Sequence, residues 1–254
     1  MPQAVSYACL VADPDADAQL PRYLQLLWDR EPPGRRGPKP GRTIQEIGKA
    51  GVVVADREGL EGVSMKSVAV ELGMTPMSLY RYVDSKEQLL EVMLEVAYGP
   101  PDRSLVASGS WRERLNRWAW ALADTLVRHP WIPLVPLTTP PLGPNMLGWT
   151  DAGAAAFNGV PLTNQQKMSS LLVVDGYVRS HVRMSLTLGL VDPEAPPPDP
   201  YVTLLPMLLD PERFPALVSA APAIVDDDGE DFFRDEMRFG LDVILDGIET
   251  LTRT

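Results

Sequence analysis

The segment VSMKSVAVELGMTPMSLYRYVDSKEQLL, Val63 to Leu90, decides how this 254-residue chain is read. Two helices that cross at roughly a right angle need a small residue at their contact, a glycine at the turn and apolar residues on both inner faces. Ala69 is the small residue, Gly73 follows four positions later, and Val68, Leu72, Met74, Leu79 and Tyr82 supply the apolar lock. Thr75 then stands as N-cap and Pro76 as first helical residue, a favoured pairing because proline lacks the amide that would be left unpaired there. The spacing predicts one helix over about 64–72 and a second over 76–83. With Leu79 inward, Met77, Ser78, Tyr80 and Arg81 form an outer edge able to read base edges by hydrogen bond, methyl contact or guanidinium fork.

Working outward, Ile44, Ile47, Ala50, Gly51 and Val54 recur at spacings of three and four, so Thr43 opens a helix with one buried face that Gly59 is expected to stop. A further helix over 86–97 begins at the Ser85/Gln88 capping-box pair. These elements make a helical head. Net charge is −11, yet residues 34–86 carry nine basic and six acidic groups, a local +3, so contact with a polyanion belongs there. Thr43, Ser64, Lys86 and the Tyr80 hydroxyl lie near helix ends, where short polar groups and amides hold phosphate oxygens and position a protein without specifying sequence. The full expected DNA-binding set is Thr43, Ser64, Thr75, Pro76, Met77, Ser78, Tyr80, Arg81, Tyr82 and Lys86.

Ahead of the head, residues 1–41 contain one amphipathic piece, Tyr23 to Trp28, and a Pro/Gly-rich stretch over 32–41 that cannot hold a helix. There Arg35, Arg36, Lys39 and Arg42 suit either a DNA arm reaching a neighbouring minor groove or a solvated linker. Beyond residue 98 the chain is acidic and again helical. Ser110 with Glu113 opens a helix striped by Trp111, Leu115, Trp118, Leu122 and Leu126; prolines interrupt 130–144 before a helix over 145–157. Thr163 with Gln166 opens a long helix to about Gly189, and a last helix begins near Asp226 to Asp228 and runs through Phe233, Met237, Leu241, Ile244, Ile248 and Leu251. Nothing alternates like a strand.

The chain is therefore expected to be all-α: a three-to-four-helix helix-turn-helix head (42–98) joined to a larger helical effector-binding and dimerisation domain (99–254). Leu171, Val178, Val182, Met237, Leu241, Ile244 and Ile248 are the expected dimer interface, with Gly240 and Gly247 allowing close backbones; the alternative is that these stripes face their own body. Trp118, Trp131, Met146, Trp149, Tyr177, His181 and Met184 are candidates for an effector pocket, against ordinary core packing for each.

The segment from Val63 to Leu90 resembles the DNA-binding signature of TetR/AcrR-family regulators, and the similarity extends through the first helix to about residue 97. His129-Pro130-Trp131 and the stretch from Pro140 to Asn145 resemble an actinobacterial-type C-terminal domain of that family. The resemblance implies a homodimer that binds double-stranded operator DNA and represses transcription until a small-molecule effector binds. Where many members carry Tyr-Tyr-His-Phe, this chain has Tyr80-Arg81-Tyr82-Val83, so the operator sequence does not carry over.

Other classes fare worse. No apolar run approaches the roughly 20 residues of a membrane span, and the N-terminus lacks a secretion pattern, so a cytoplasmic protein is expected. The single Cys9 and the widely spaced His129 and His181 offer no disulfide and no metal-ligand rhythm. No glycine-rich phosphate cradle follows a strand and no nucleophile sits at helical spacing from a histidine, so neither catalysis nor a cofactor is expected. A helical protein whose head binds another protein is the remaining alternative.

Overall fold

The computed structural model describes residues 20–30, 41–136, 140–191, 204, 207–219 and 231–253, and every regular element among them is helical. The α-helices include, in chain order, α1 (Arg22–Leu27), α2 (Ile44–Gly62), α3 (Met65–Glu71), α4 (Pro76–Leu79), α5 (Lys86–Tyr98), α6 (Trp111–Arg128), α7 (Pro144–Ala155), α8 (Asn164–Leu188) and α9 (Phe232–Thr252), with short 3-10 helices at Arg103–Val106 and Ile132–Leu134. Two compact units result: Met1–Pro101 with Pro136–Trp149, and Asp102–Val135 with Thr150–Thr254. None of the described helices is long and apolar enough to cross a membrane.

The first unit is built on α2 against α5. Ile44, Ile47 and Val54 of α2 meet Leu89, Val92 and Met93 of α5 in its core, together with Val63, Val68 and Leu79. A methyl group on Gly48 or Gly51 would sit 2.5 Å from the side chain of Val96 or Met93, so these two small residues allow the helices to come together. Thr43 opens α2 with a reciprocal capping box to Glu46. The helix does not stop at Gly59 as its sequence suggests; it kinks there (φ 74) and resumes to Gly62. At α5 the Ser85 oxygen accepts from the Gln88 amide, but the Gln88 side chain accepts from Asp84 rather than Ser85, leaving half of the expected box.

In the N-terminal extension the amphipathic piece does form a helix. Tyr23, Leu24 and Leu27 of α1 are buried, and α1 packs on α2 and α5. Arg35, Arg36 and Lys39 lie outside the described residues, as does Cys9.

The second unit packs α8 between α6 and α9. Leu115, Trp118, Leu122 and Leu126 of α6, Leu171, Val174, Val178 and Val182 of α8, and Met237, Leu241, Leu245 and Ile248 of α9 form its core. Both capping boxes expected here are present, Ser110 with Glu113 and Thr163 with Gln166. α8 ends where expected, with Gly189 in the left-handed conformation and the Leu190 amide reaching back to the Ser185 carbonyl. α9 begins later than its sequence suggests: Asp231 accepts from the Arg234 amide as N-cap, and Asp226 to Asp228 lie outside the described residues.

Candidate nucleic-acid interface

The turn between α3 and α4 is fixed at both sides by local chemistry. The Met74 amide donates to the Ala69 carbonyl at 2.9 Å and the Gly73 amide to Val70 at 3.0 Å, a Schellman ending that requires the left-handed φ of 65° seen at Gly73. One residue later the Thr75 hydroxyl accepts from the Ser78 amide and Pro76 takes the first helical position. Ser64 caps α3 through a reciprocal pairing with Ser67, a partner three residues on that is serine rather than glutamate or glutamine. Arg42 donates to the Leu72 carbonyl at this same turn and pairs with Glu46 at 3.2 Å, so the one described member of the expected arm is bound to the head.

α4 is shorter than the 76–83 span its sequence predicts. After Leu79 the chain continues in turns, the Arg81 amide donating to Ser78 and the Tyr82 amide to Leu79, three residues back, while the Val83 amide also reaches Leu79, four back. Tyr82 and Val83 lie in the core with Leu79. Tyr82, expected both in the apolar lock and among the DNA-binding residues, is 6% exposed and serves the lock.

The remaining edge points outward. Met77 is 75% and Tyr80 45% exposed, Arg81 and Lys86 are exposed, and Ser78 is half-buried at the Thr75 cap. The Arg81 and Lys86 side chains make no ion pair with a described residue, whereas Arg57 is neutralised by Glu58 and Glu71. Lys66, exposed in the first turn of α3, adds a third uncommitted cation that the sequence pattern does not single out. Its exposed place two residues after the N-cap Ser64, itself an expected phosphate contact, is the signal that could have found it.

Thr43, Ser64 and Thr75 each hold a cap, so their hydroxyls first serve the frame. At Thr75 the oxygen lies 3.0 Å from Ser78 Oγ, leaving one hydroxyl proton of the pair free to be given to an anion.

The seven residues expected to line an effector pocket are distributed over both units. Met146 and Trp149 belong to the first unit, where Trp149 Nε1 donates to the Gly99 carbonyl and its ring meets Tyr98 edge-on. In the second unit Trp118 and Trp131 are buried, and Met184 is exposed. Tyr177 donates to the Glu236 carbonyl at 2.8 Å; burial, with the Glu236 charge nearby, raises its phenol pKa. His181 Nε2 lies 3.0 Å from the Phe233 carbonyl, with its ring stacked between Tyr177 and Phe233. These two polar residues are thus the partners that α8 needs for α9.

The expected dimer residues also pack inward. Leu171, Val178, Val182, Met237, Leu241 and Ile248 are buried within one chain and Ile244 is half-buried, because α8 and α9 pair with each other. Gly240 does permit close approach, but to the Tyr177 ring of its own chain. Opposite this seam, Phe232, Phe239 and Val243 on α9 and Leu172 and Val173 on α8 are exposed.

A helical head that ends its turn at Gly73 and presents an uncovered polar, apolar and cationic edge defines a helix-turn-helix DNA-binding protein. Residues 47–93 match the bacterial regulatory proteins of the tetR family, and residues 105–252 match the tetracyclin repressor-like C-terminal domain. The chain belongs to that family and is a DNA-binding transcriptional regulator. It is 37% identical to the HTH-type transcriptional repressor DrrR1 of Streptomyces coeruleorubidus over 238 residues, covering 91% of this chain and 86% of the relative. Its fold is that of apo ActR from Streptomyces coelicolor (TM-score 0.68, 20% identity, 84% of this chain and 96% of that one). ActR in complex with actinorhodin is similar too (TM-score 0.64, 20% identity, 84% and 97%).

Proposed function

We propose that the chain is a repressor that binds a near-palindromic operator as a homodimer and leaves it when a small molecule binds the second unit. The observation that carries this is the uncovered Met77-Ser78-Tyr80-Arg81 edge, which follows directly on the hydrogen-bonded Gly73 turn and the Thr75 cap. Met77, Ser78, Tyr80 and Arg81 contact base edges in the major groove, while Thr43, Ser64, Thr75, Pro76, Lys66 and Lys86 contact the backbone. Arg42 serves this role only from its place at the Leu72 carbonyl; Arg35, Arg36 and Lys39 would add minor-groove contacts. The 37%-identical relative is described as a repressor, which supports the direction of regulation. Of the seven expected pocket residues, Trp118 and Trp131 are the tryptophans buried inside the second unit, where the effector would bind, and Trp131 meets the His129 ring.

Duplexes enriched by the purified chain from a random pool should share two half-sites whose centres lie about 34 Å apart or a multiple of it. Binding should weaken steeply with salt, by about 10³-fold or more between 50 and 200 mM if six or more phosphates are neutralised. A pool that shows no shared sequence rejects the reading.

The dimer seam falls on Phe239, Val243, Leu172 and Val173, around Gly176 and Gly247, where an added methyl would meet nothing within 4 Å in the single chain. Phe239 is 69% exposed on the face of α9 opposite its buried stripe. Phe239→Asp should halve the mass measured by light scattering at micromolar concentration, and operator affinity should fall with it. Met237→Leu, inside the chain's own core, should leave the mass unchanged.

A further inference from the structure

The short helix α1, which the family match over residues 47–93 does not reach, is joined to the reading edge itself. Arg22 Nε donates to the Arg81 carbonyl at 2.7 Å. On the same helix the Tyr23 hydroxyl donates to Glu91 of α5, and just past its end Trp28 Nε1 donates to the Leu142 carbonyl at 2.9 Å, immediately before Gly143 and α7. All of these residues lie in the first unit. Burial of Tyr23, Leu24 and Leu27 holds the helix in place, so the three polar groups arrive with fixed origins.

The Arg81 carbonyl is where such a tie has most effect. Four helical residues cannot hold a conformation by themselves, because nucleating a helix fixes several dihedrals for one hydrogen bond. The N-terminal end of α4 is fixed by the Thr75 cap and the Gly73 turn, but its C-terminal end passes into loose three-residue turns. A guanidinium there satisfies a carbonyl of the turn that follows α4 with a charge-assisted bond.

Resting on the DNA-reading assignment above, we propose that α1 is a positioning element of the DNA-reading site. Arg22 holds the Arg81 main chain so that the Arg81 side chain is presented to a base edge, and Trp28 anchors the same helix to the segment that leads into α7. Arg22 is a positioning residue rather than a DNA contact.

Glutamine separates the two roles, since its amide nitrogen stands the same number of bonds from the backbone as Arg Nε but carries no charge. The full-length wild type, Arg22→Gln and Arg22→Met are compared on a duplex enriched by the wild type and on a scrambled duplex of equal length, across a salt series. Arg22→Met should lose about tenfold in the ratio of specific to non-specific affinity, with the salt slope unchanged, and Arg22→Gln should keep most of that ratio. Equal weakening on both duplexes in both variants, with a slope smaller by about 0.9 per phosphate no longer neutralised, makes Arg22 a phosphate contact and overturns the proposal. An unchanged ratio in Arg22→Met overturns it as well. If Arg22→Met does not fold, Trp28→Phe, which keeps the packing and removes the Leu142 bond, should lower the same ratio several-fold; no change rejects the role of α1. A wild type that discriminates no duplex rejects the DNA-reading assignment instead. Amide exchange at Arg81 to Val83 in the free protein then still decides: faster exchange in Arg22→Met supports the tie, and equal rates reject it.

Discussion

Replacing Arg81 with alanine should weaken operator binding by about thirtyfold or more while leaving the fold intact. The side chain is exposed and makes no ion pair with a described residue, so its removal opens no cavity and strands no partner. Stability should therefore stay within the spread of a surface substitution, about 0.5 kcal/mol. On DNA the expectation reverses. One side-chain fork on a base edge is worth about 1–3 kcal/mol of discrimination, and a symmetric dimer carries two, so the loss is about 2–6 kcal/mol per complex. Affinity for the selected duplex should fall by about thirtyfold or more, with relaxed preference at one position of each half-site. Lys86→Ala provides the contrast. It should weaken selected and scrambled duplexes alike and reduce the salt slope by about 0.9 for each phosphate it no longer neutralises. Titration of labelled duplexes at several salt concentrations measures both. An Arg81→Ala protein with wild-type affinity and base preference would show that this edge does not read DNA.

The contrast between Arg81 and its neighbour Tyr82 marks how far the sequence can be read. Apolar periodicity around Ala69, Gly73 and Leu79 is sufficient to find the motif, because each of those positions has one geometric requirement and a short list of residues that meet it. Where α4 ends is not legible. A mixture of three- and four-residue hydrogen bonds after Leu79 leaves no compositional mark, yet it ends the regular helix short of the expected residue 83 and leaves Tyr82 to the apolar lock alone. The same difficulty, in reverse, applies to α8 and α9. Their stripes of Leu171, Val178, Met237 and Leu241 are real, but a buried face does not say what buries it. Only the pairing of α8 with α9 shows that one chain covers these residues and that Phe239 and Val243 are left over.

Bonds between residues distant in sequence are the least legible of all. His181 and Tyr177 read as polar groups in need of partners, and both find main-chain carbonyls of α9 more than fifty residues away. Arg22 and Trp28 give no signal beyond the amphipathic piece they flank, since their acceptors are carbonyls, which every residue has. Glu95 is silent for the related reason that a glutamate near a helix end is ordinarily solvated. In the folded chain it is 3% exposed.

Glu95 should be the most sensitive polar residue of the first unit. Its carboxylate accepts the amides of Asn145 and Met146 in the first turn of α7, and Asn145 Nδ2 returns a bond to the Glu95 carbonyl at 2.9 Å. These are terminal donors that α7 cannot pair internally, and a negative charge suits that end of a helix. Gly143 completes the fit, because a methyl group there would overlap Glu95 Oε2. Glu95→Ala should thus destabilise the unit by about 2–4 kcal/mol, from two buried amides left unpaired and the side-chain volume removed. Gly143→Ala should destabilise it through overlap with Glu95. Combining the two places the new methyl in space the carboxylate has left, so the double variant should be more stable than the sum of the singles by about 1 kcal/mol or more. Strict additivity in denaturant titrations would show that Glu95 and Gly143 do not share this space. The pH dependence has a definite sign. Burial raises the Glu95 pKa above the ordinary 4.5, more than the Asn145 and Met146 amides lower it. A carboxyl with a raised folded-state pKa contributes stability that is complete below its unfolded value and is lost as pH rises through the folded one. Relative to Glu95→Gln, which does not titrate, the wild type should therefore lose stability as pH climbs from 4.5 through that raised value, and the difference should be constant above it. A wild-type advantage over Glu95→Gln that grows with pH would mean that the amides of α7, rather than burial, dominate the carboxylate.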